Sequence, residues 1–171
     1  MSGIRDKARS IIDAALPPNA VITFDGSTAA KYKEMTGLSQ EAWAANWAKG
    51  GHLSGCMGFT GWYGVRMGSK KYLGGFDLKH LAVSAGKPDA WIASTMNNRP
   101  QYGDILRHTA FHVDVAIGFD GGVLLRAAVG QLSFRGGPPV HDIIKRVRGL
   151  GPYDWRKLMG WIDIDIYFAS T

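Results

Sequence analysis

GHLSGCMGFTGWYGVRMG, residues 51–68, joins a turn-forming run of small residues to a helix, and Cys56 stands at the join. Phe59, Tyr63 and Met67 recur every four positions with Trp62 beside them, the spacing of one helical face turned toward a core. That spacing predicts a helix that starts at or near the cysteine and stops at Gly68. A thiol in the first turn of a helix meets unpaired N–H groups and the positive end of the helix dipole, which favour thiolate over thiol. A small buried hydrophobe is the alternative reading of a lone cysteine. Cys56 is the only cysteine, so no internal disulfide can form and the thiol is left for chemistry.

Outward from this stretch, the N-terminal side reads as helical. Ile4, Ala8, Ile11, Ile12, Ala15 and Leu16 share a stripe over residues 4–16, which Pro17-Pro18 ends. Val21-Ile22-Thr23-Phe24 is a short β-prone run closed by Asp25-Gly26. Ser39 predicts an N-cap for a helix through Ala42, Trp43 and Ala48 that stops at Gly50-Gly51. Beyond the cysteine helix, Asp77 is expected to cap a helix containing Leu78, Leu81 and Val83. A turn or short helix is expected from Pro88 through Trp91 and Ile92.

The rhythm changes after Tyr102. Phe111, Val113, Val115 and Ile117 alternate with His112, Asp114 and Ala116, as in a strand with one apolar side. Asp120-Gly121-Gly122 predicts a hairpin turn, with residues 123–129 as the returning strand. Ile143, Ile144 and Val147 are read as a short helix, and the alternation from Trp161 to Phe168 as a last strand. Helices first and antiparallel strands later predict an α+β fold, with residues 1–171 in one domain.

Composition narrows the function classes. Hydrophobic residues make up 46% and charged residues 20%, as in a globular domain with its own core. Arg5, Asp6, Lys7, Arg9 and Asp13 interrupt any secretory apolar run in residues 1–16, and no stretch approaches the roughly 18 apolar residues of a membrane span. The expectation is synthesis in a bacterial cytoplasm without a signal peptide. The net charge of +6 is scattered, with one short cluster at Lys145-Arg146-Val147-Arg148. That argues against a nucleic-acid partner and suits an anionic polymer such as a cell wall. A phosphate loop is missing, and His108 and His112 would make a helical metal pair only if the strand pattern were wrong, so no cofactor and no metal are expected.

A thiol becomes a nucleophile when an imidazole takes its proton. Of the five histidines, His112 is the best placed, because it opens an alternating strand on its less apolar side. His108 falls just outside that strand, near an expected turn. A strand histidine that merely finds a hydrogen-bond partner is the plain alternative. Cys56 at a helix head, then Pro100-Gln101-Tyr102-Gly103-Asp104-Ile105-Leu106, then His112-Val113 on a strand together resemble the NlpC/P60 and CHAP families of papain-like cysteine peptidases and amidases. The resemblance spans Gly50 to Gln131. Gly55 stands where those families often carry Asp or Asn before the cysteine, and Asp114 stands where they carry a small residue.

The resemblance implies a papain-like fold, with N-terminal helices packed on a small antiparallel sheet, and a hydrolase of amide bonds. Cys56 would be the nucleophile, His112 the base, and Gln131, from the strand after the histidine strand, the group that orients the imidazole. Asp154 and Asp163 are rivals for that third role, since an aspartate partners an imidazolium better, and Asp114 could be structural. The substrate class implied is the peptide of peptidoglycan. Delivery into a target cell, as by type VI secretion effectors or phage lysins, would follow, with a cognate immunity protein as possible partner. A Cys–His deamidase acting on a host protein, and a non-enzymatic basic binding module, are the alternatives.

Overall fold

The computed structural model describes residues 3–50, 55–130, 133–134 and 139–170; the side chains of 47 and 131–141 lie outside this description. The chain opens with α1 (Gly3–Ala15), which buries Ala8 and Ile12 and ends before Pro17. After β1 (Ile22–Thr23) come α2 (Ala29–Thr36), α3 (Gln40–Ala48) and α4 (Cys56–Met67). Ser39 Oγ accepts the Ala42 N–H at the head of α3. Next is α5 (Leu78–Ser84), where Asp77 accepts the His80 N–H. Both caps follow the sequence expectation.

The second half is largely strand: β2 (Trp91–Ala93), β3 (Ile105–His108), β4 (His112–Asp120), β5 (Val123–Ala128), β6 (Ser133–Phe134), β7 (Pro139–His141), β8 (Ile143–Arg148) and β9 (Leu158–Ile162). A one-turn helix, α6 (Ile164–Tyr167), follows. Seven strands form one sheet in the order β1-β8-β5-β4-β3-β9-β2, every pairing antiparallel, and β6 pairs with β7. The class is therefore mixed α+β, as expected. Gly121 and Gly122, at φ of 54° and 85°, turn β4 into β5 as the Asp-Gly-Gly signal predicts.

Three local expectations are corrected. Residues 143–148 are a strand and not a helix, because Ile144 is wholly buried in the sheet while β8 pairs with both β1 and β5. The strand expected from Trp161 to Phe168 stops at Ile162, where Asp163 accepts the N–H groups of Asp165 and Ile166 and starts α6. Trp91–Ala93 extends as an edge strand on β9. Helix α2 had no sequence expectation.

Period-2 alternation gives the sheet two faces. Ile105, Val113, Val115, Ala127 and Ile162 join the main core with Phe59, Tyr63 and Met67 of α4. Burying each large side chain here contributes about 1.5–3 kcal/mol. Leu106, Ala116, Leu124, Leu158 and Trp161 form a smaller apolar cluster on the outer face. Helix α4 approaches α2 closely because Gly58 has no side chain: a Cβ there would lie 1.9 Å from the Thr36 carbonyl oxygen.

Candidate active site

Cys56 is the first residue of α4 and is 3% exposed. The turn before it is held from behind. The Gly55 N–H donates to Asp142 Oδ2 at 2.8 Å, and the Tyr32 hydroxyl donates to the same oxygen. Tyr32 is itself fixed in α2, where Thr36 Oγ1 bonds its carbonyl at 2.8 Å. Asp142 is wholly buried, and burial pushes its carboxyl above the usual carboxylate range against the pull of Tyr32, Gly55 and His112. Burial and the neighbouring Asp142 raise the Tyr32 phenol likewise, so it stays a proton donor.

His112 begins β4 directly opposite His108, the last residue of β3, and the two rings lie 5.2 Å apart. The Cys56 thiol is within hydrogen-bonding reach of the His112 imidazole. His112 Nε2 lies 3.1 Å from Asp114 Oδ2. Strand parity puts His108, His112, Asp114 and Arg126 on the outer face, whereas α4 packs on the other. His112, at the very end of β4, spans the two.

Asp114 is wholly buried, and three groups converge on it. His108 Nε2 lies 2.8 Å from Oδ1, and Arg126 of β5 donates through Nη1 to Oδ2, which His112 shares. Desolvation alone would raise this carboxyl, but His108, His112 and Arg126 hold it well below the usual carboxylate range. Desolvation would lower His112, yet the hydrogen bonds to Asp114 and Cys56 and their charges push it up to about 9. The pair therefore favours imidazolium beside a thiolate at neutral pH.

Cys56 and His112, far apart in sequence, thus meet. Gln131, the first expectation for the orienting group, lies outside the described residues. Asp154 caps the 3-10 turn at 155–157 and pairs with Arg156 at 2.9 Å, while Asp163 caps α6 and pairs with Arg5 at 3.1 Å. Neither holds His112; the described carboxylate that does is Asp114. Sequence reasoning set Asp114 aside because it sits two positions from His112. The usable signal was parity, since i and i+2 share a strand face. Tyr32 and Asp142 carry no local signal, being 110 positions apart.

His108, His112 and Asp114 offer ligand atoms within 4.8 Å of one another. Two imidazoles and a carboxylate suit a divalent transition metal by ligand type. Arg126 already occupies the shared carboxylate oxygen and adds positive charge where a cation would sit, which favours the hydrogen-bonded protein network. No family model, curated protein or solved structure matches this chain at a significant level.

Proposed function

We propose that this protein is a cysteine hydrolase of amide bonds. The observation that carries the reading is a thiol in the first turn of α4 within reach of an imidazole braced by a buried carboxylate. Cys56 is the nucleophile, His112 the base and then the acid, and Asp114 the orienting group. With Nε2 engaged by Asp114, Nδ1 is the nitrogen that exchanges a proton with sulfur. Attack by the thiolate gives a tetrahedral oxyanion, for which the Cys56 N–H is the expected donor. Collapse expels the amine with a proton from His112 and leaves a thioester, which water, deprotonated by the same imidazole, hydrolyses.

The resemblance to NlpC/P60 and CHAP enzymes supports a papain-like site and peptidoglycan peptides as substrate. The net charge of +6 supports attraction to an anionic wall. Action in a target cell after delivery by a secretion machine, with an immunity protein in the producer, fits that substrate.

Two measurements test the reading. Iodoacetamide should alkylate Cys56 rapidly well below the ordinary thiol pKa of about 8.5. Incubation with purified sacculi should yield muropeptides with new amino and carboxyl termini, and Cys56→Ala should abolish them. If the alanine variant kept about a tenth of the activity, a nucleophilic cysteine would be excluded, because loss of the nucleophile costs far more. Release of ammonia from a protein substrate, with sacculi intact, would identify a deamidase.

A further inference from the structure

On the outer face of the sheet, between β5 and the 149–158 segment, lies a cavity of about 400 Å³. Its volume is within the roughly 300–1,000 Å³ of small-ligand sites. His108 and Arg126, two of the groups that hold Asp114, line its inner side. Leu124, Leu158 and Tyr153 supply apolar wall, and the exposed Lys157 stands at its opening. The His108 ring is 5.2 Å from the His112 ring, so the cavity starts one side chain away from the proposed base.

The charge around this cavity is lopsided. The one carboxylate in its lining, Asp154, is tied to Arg156 by bonds of 2.9 and 3.2 Å. A further guanidinium, that of Arg99, lies 5.2 Å from the Tyr153 ring. Four permanent cations (Arg99, Arg126, Arg156 and Lys157) thus surround the cavity against two carboxylates, Asp114 and Asp154. Asp114 is itself wholly buried beneath His108 and Arg126 and shared among three partners. A ligand that brings one negative charge on a short aliphatic stem would match both the cations and the leucine wall.

We propose that this cavity is the subsite for an acidic residue of the substrate peptide, close in sequence to the scissile amide. The side-chain carboxylate sits between Arg126 and Lys157, and its methylene groups lie against Leu124 and Leu158. The assignment rests on the hydrolase reading and deepens it, because it selects peptides bearing a carboxylate near the cleaved bond.

The test uses the full-length Cys56→Ala protein, which binds without turnover, and two probes, acetyl-Ala-Glu-Ala-amide and its glutamine analogue. The glutamyl probe should bind about tenfold more tightly than the glutaminyl one, the worth of one charge-assisted contact. Amide-resonance shifts on titration should centre on Gly149, Gly151 and Lys157. Adding Lys157→Glu, a change at an exposed position outside the catalytic cluster, should abolish or reverse the preference. Equal binding of the two probes, no binding of either, or shifts centred elsewhere would overturn the subsite. So would displacement by inorganic phosphate at concentrations below those of the glutamyl probe, which would mark a phosphate site. A protein that prefers the glutamyl probe but leaves every amide intact would lose the hydrolase reading and keep the subsite. One that cleaves sacculi yet binds both probes alike would lose the subsite alone.

Discussion

Asp114 concentrates in one side chain the electrostatics on which Cys56 and His112 depend. Its carboxylate is wholly buried, a state that costs several kcal/mol unless counter-charges surround it, and His108, His112 and Arg126 do so. Asp114→Asn keeps the shape and removes the charge that helps hold His112 near 9. The wild-type rate should therefore fall on the alkaline side as pH rises through about 9, where the imidazolium loses the proton that the leaving amine needs. In Asp114→Asn that limb should move toward the ordinary histidine value near 6.5, with kcat reduced by about 10²–10⁴. Stability follows the same sign. His112 is raised in the folded state, so its contribution is complete below about 6.5 and is lost as pH climbs through about 9. Denaturant unfolding across that window should show the loss in the wild type and a smaller one in the variant. An unchanged alkaline limb would mean that Asp114 does not govern His112.

At the scale of elements, legibility depended on whether the deciding interaction was local. Ser39 and Asp77 cap their helices within three residues, and Gly121-Gly122 turns a hairpin on the spot, so each could be read in place. Ile143, Ile144 and Val147 have helical spacing, but pairing of β8 with strands far away in sequence outweighs that local preference. Cys56 and His112 were legible as a helix head and a strand start. Asp114 needed the register of β3 against β4, which brings His108 to the same carboxylate. The anchoring of the cysteine turn was illegible because Tyr32, Gly55 and Asp142 are brought together only by tertiary packing. Asp142→Ala would leave the Gly55 N–H and the Tyr32 hydroxyl without this acceptor, at about 1–3 kcal/mol for each buried group. The urea midpoint should drop, and alkylation of Cys56 should slow as the head of α4 loosens. Asp142→Asn, which retains an acceptor oxygen, should recover much of both. Full reactivity in Asp142→Ala would show that α4 positions the thiol unaided.

Across the whole molecule, the two ends of the chain are tied behind the site by Arg5 of α1. Its guanidinium bonds Asp104 at 2.9 Å, Asp163 at 3.1 Å and Asp165 at 2.6 Å, and the Tyr102 carbonyl at 2.6 Å. Gly103-Asp104, which carried part of the family resemblance, serves here as the hub of that tie. Gly103 adopts φ of 92°, and a Cβ there would meet Ile164 at 2.5 Å and Ala8 at 2.9 Å, so only glycine lets α1, α6 and the start of β3 converge. Asp104 is almost wholly buried, and desolvation raises its carboxyl to about 6 even though Arg5 pulls it down. Its ionised form is therefore disfavoured on folding, and stability declines as pH rises from about 4 through 6. Arg5→Met keeps the aliphatic stem and removes the cation, so the folded-state pKa of Asp104 must rise further and the decline must extend to higher pH. Removing one partner of a buried ion pair costs about 3–5 kcal/mol, and this cost should be felt near pH 8, where Asp104 is ionised in the wild type. At pH 4 the carboxyl is largely protonated in both proteins, so the difference between them should shrink to a small remainder. Urea unfolding of wild type and Arg5→Met at these two pH values reads the effect directly. A loss of equal size at both would assign Arg5 to packing and remove charge from the account of how the chain ends are joined.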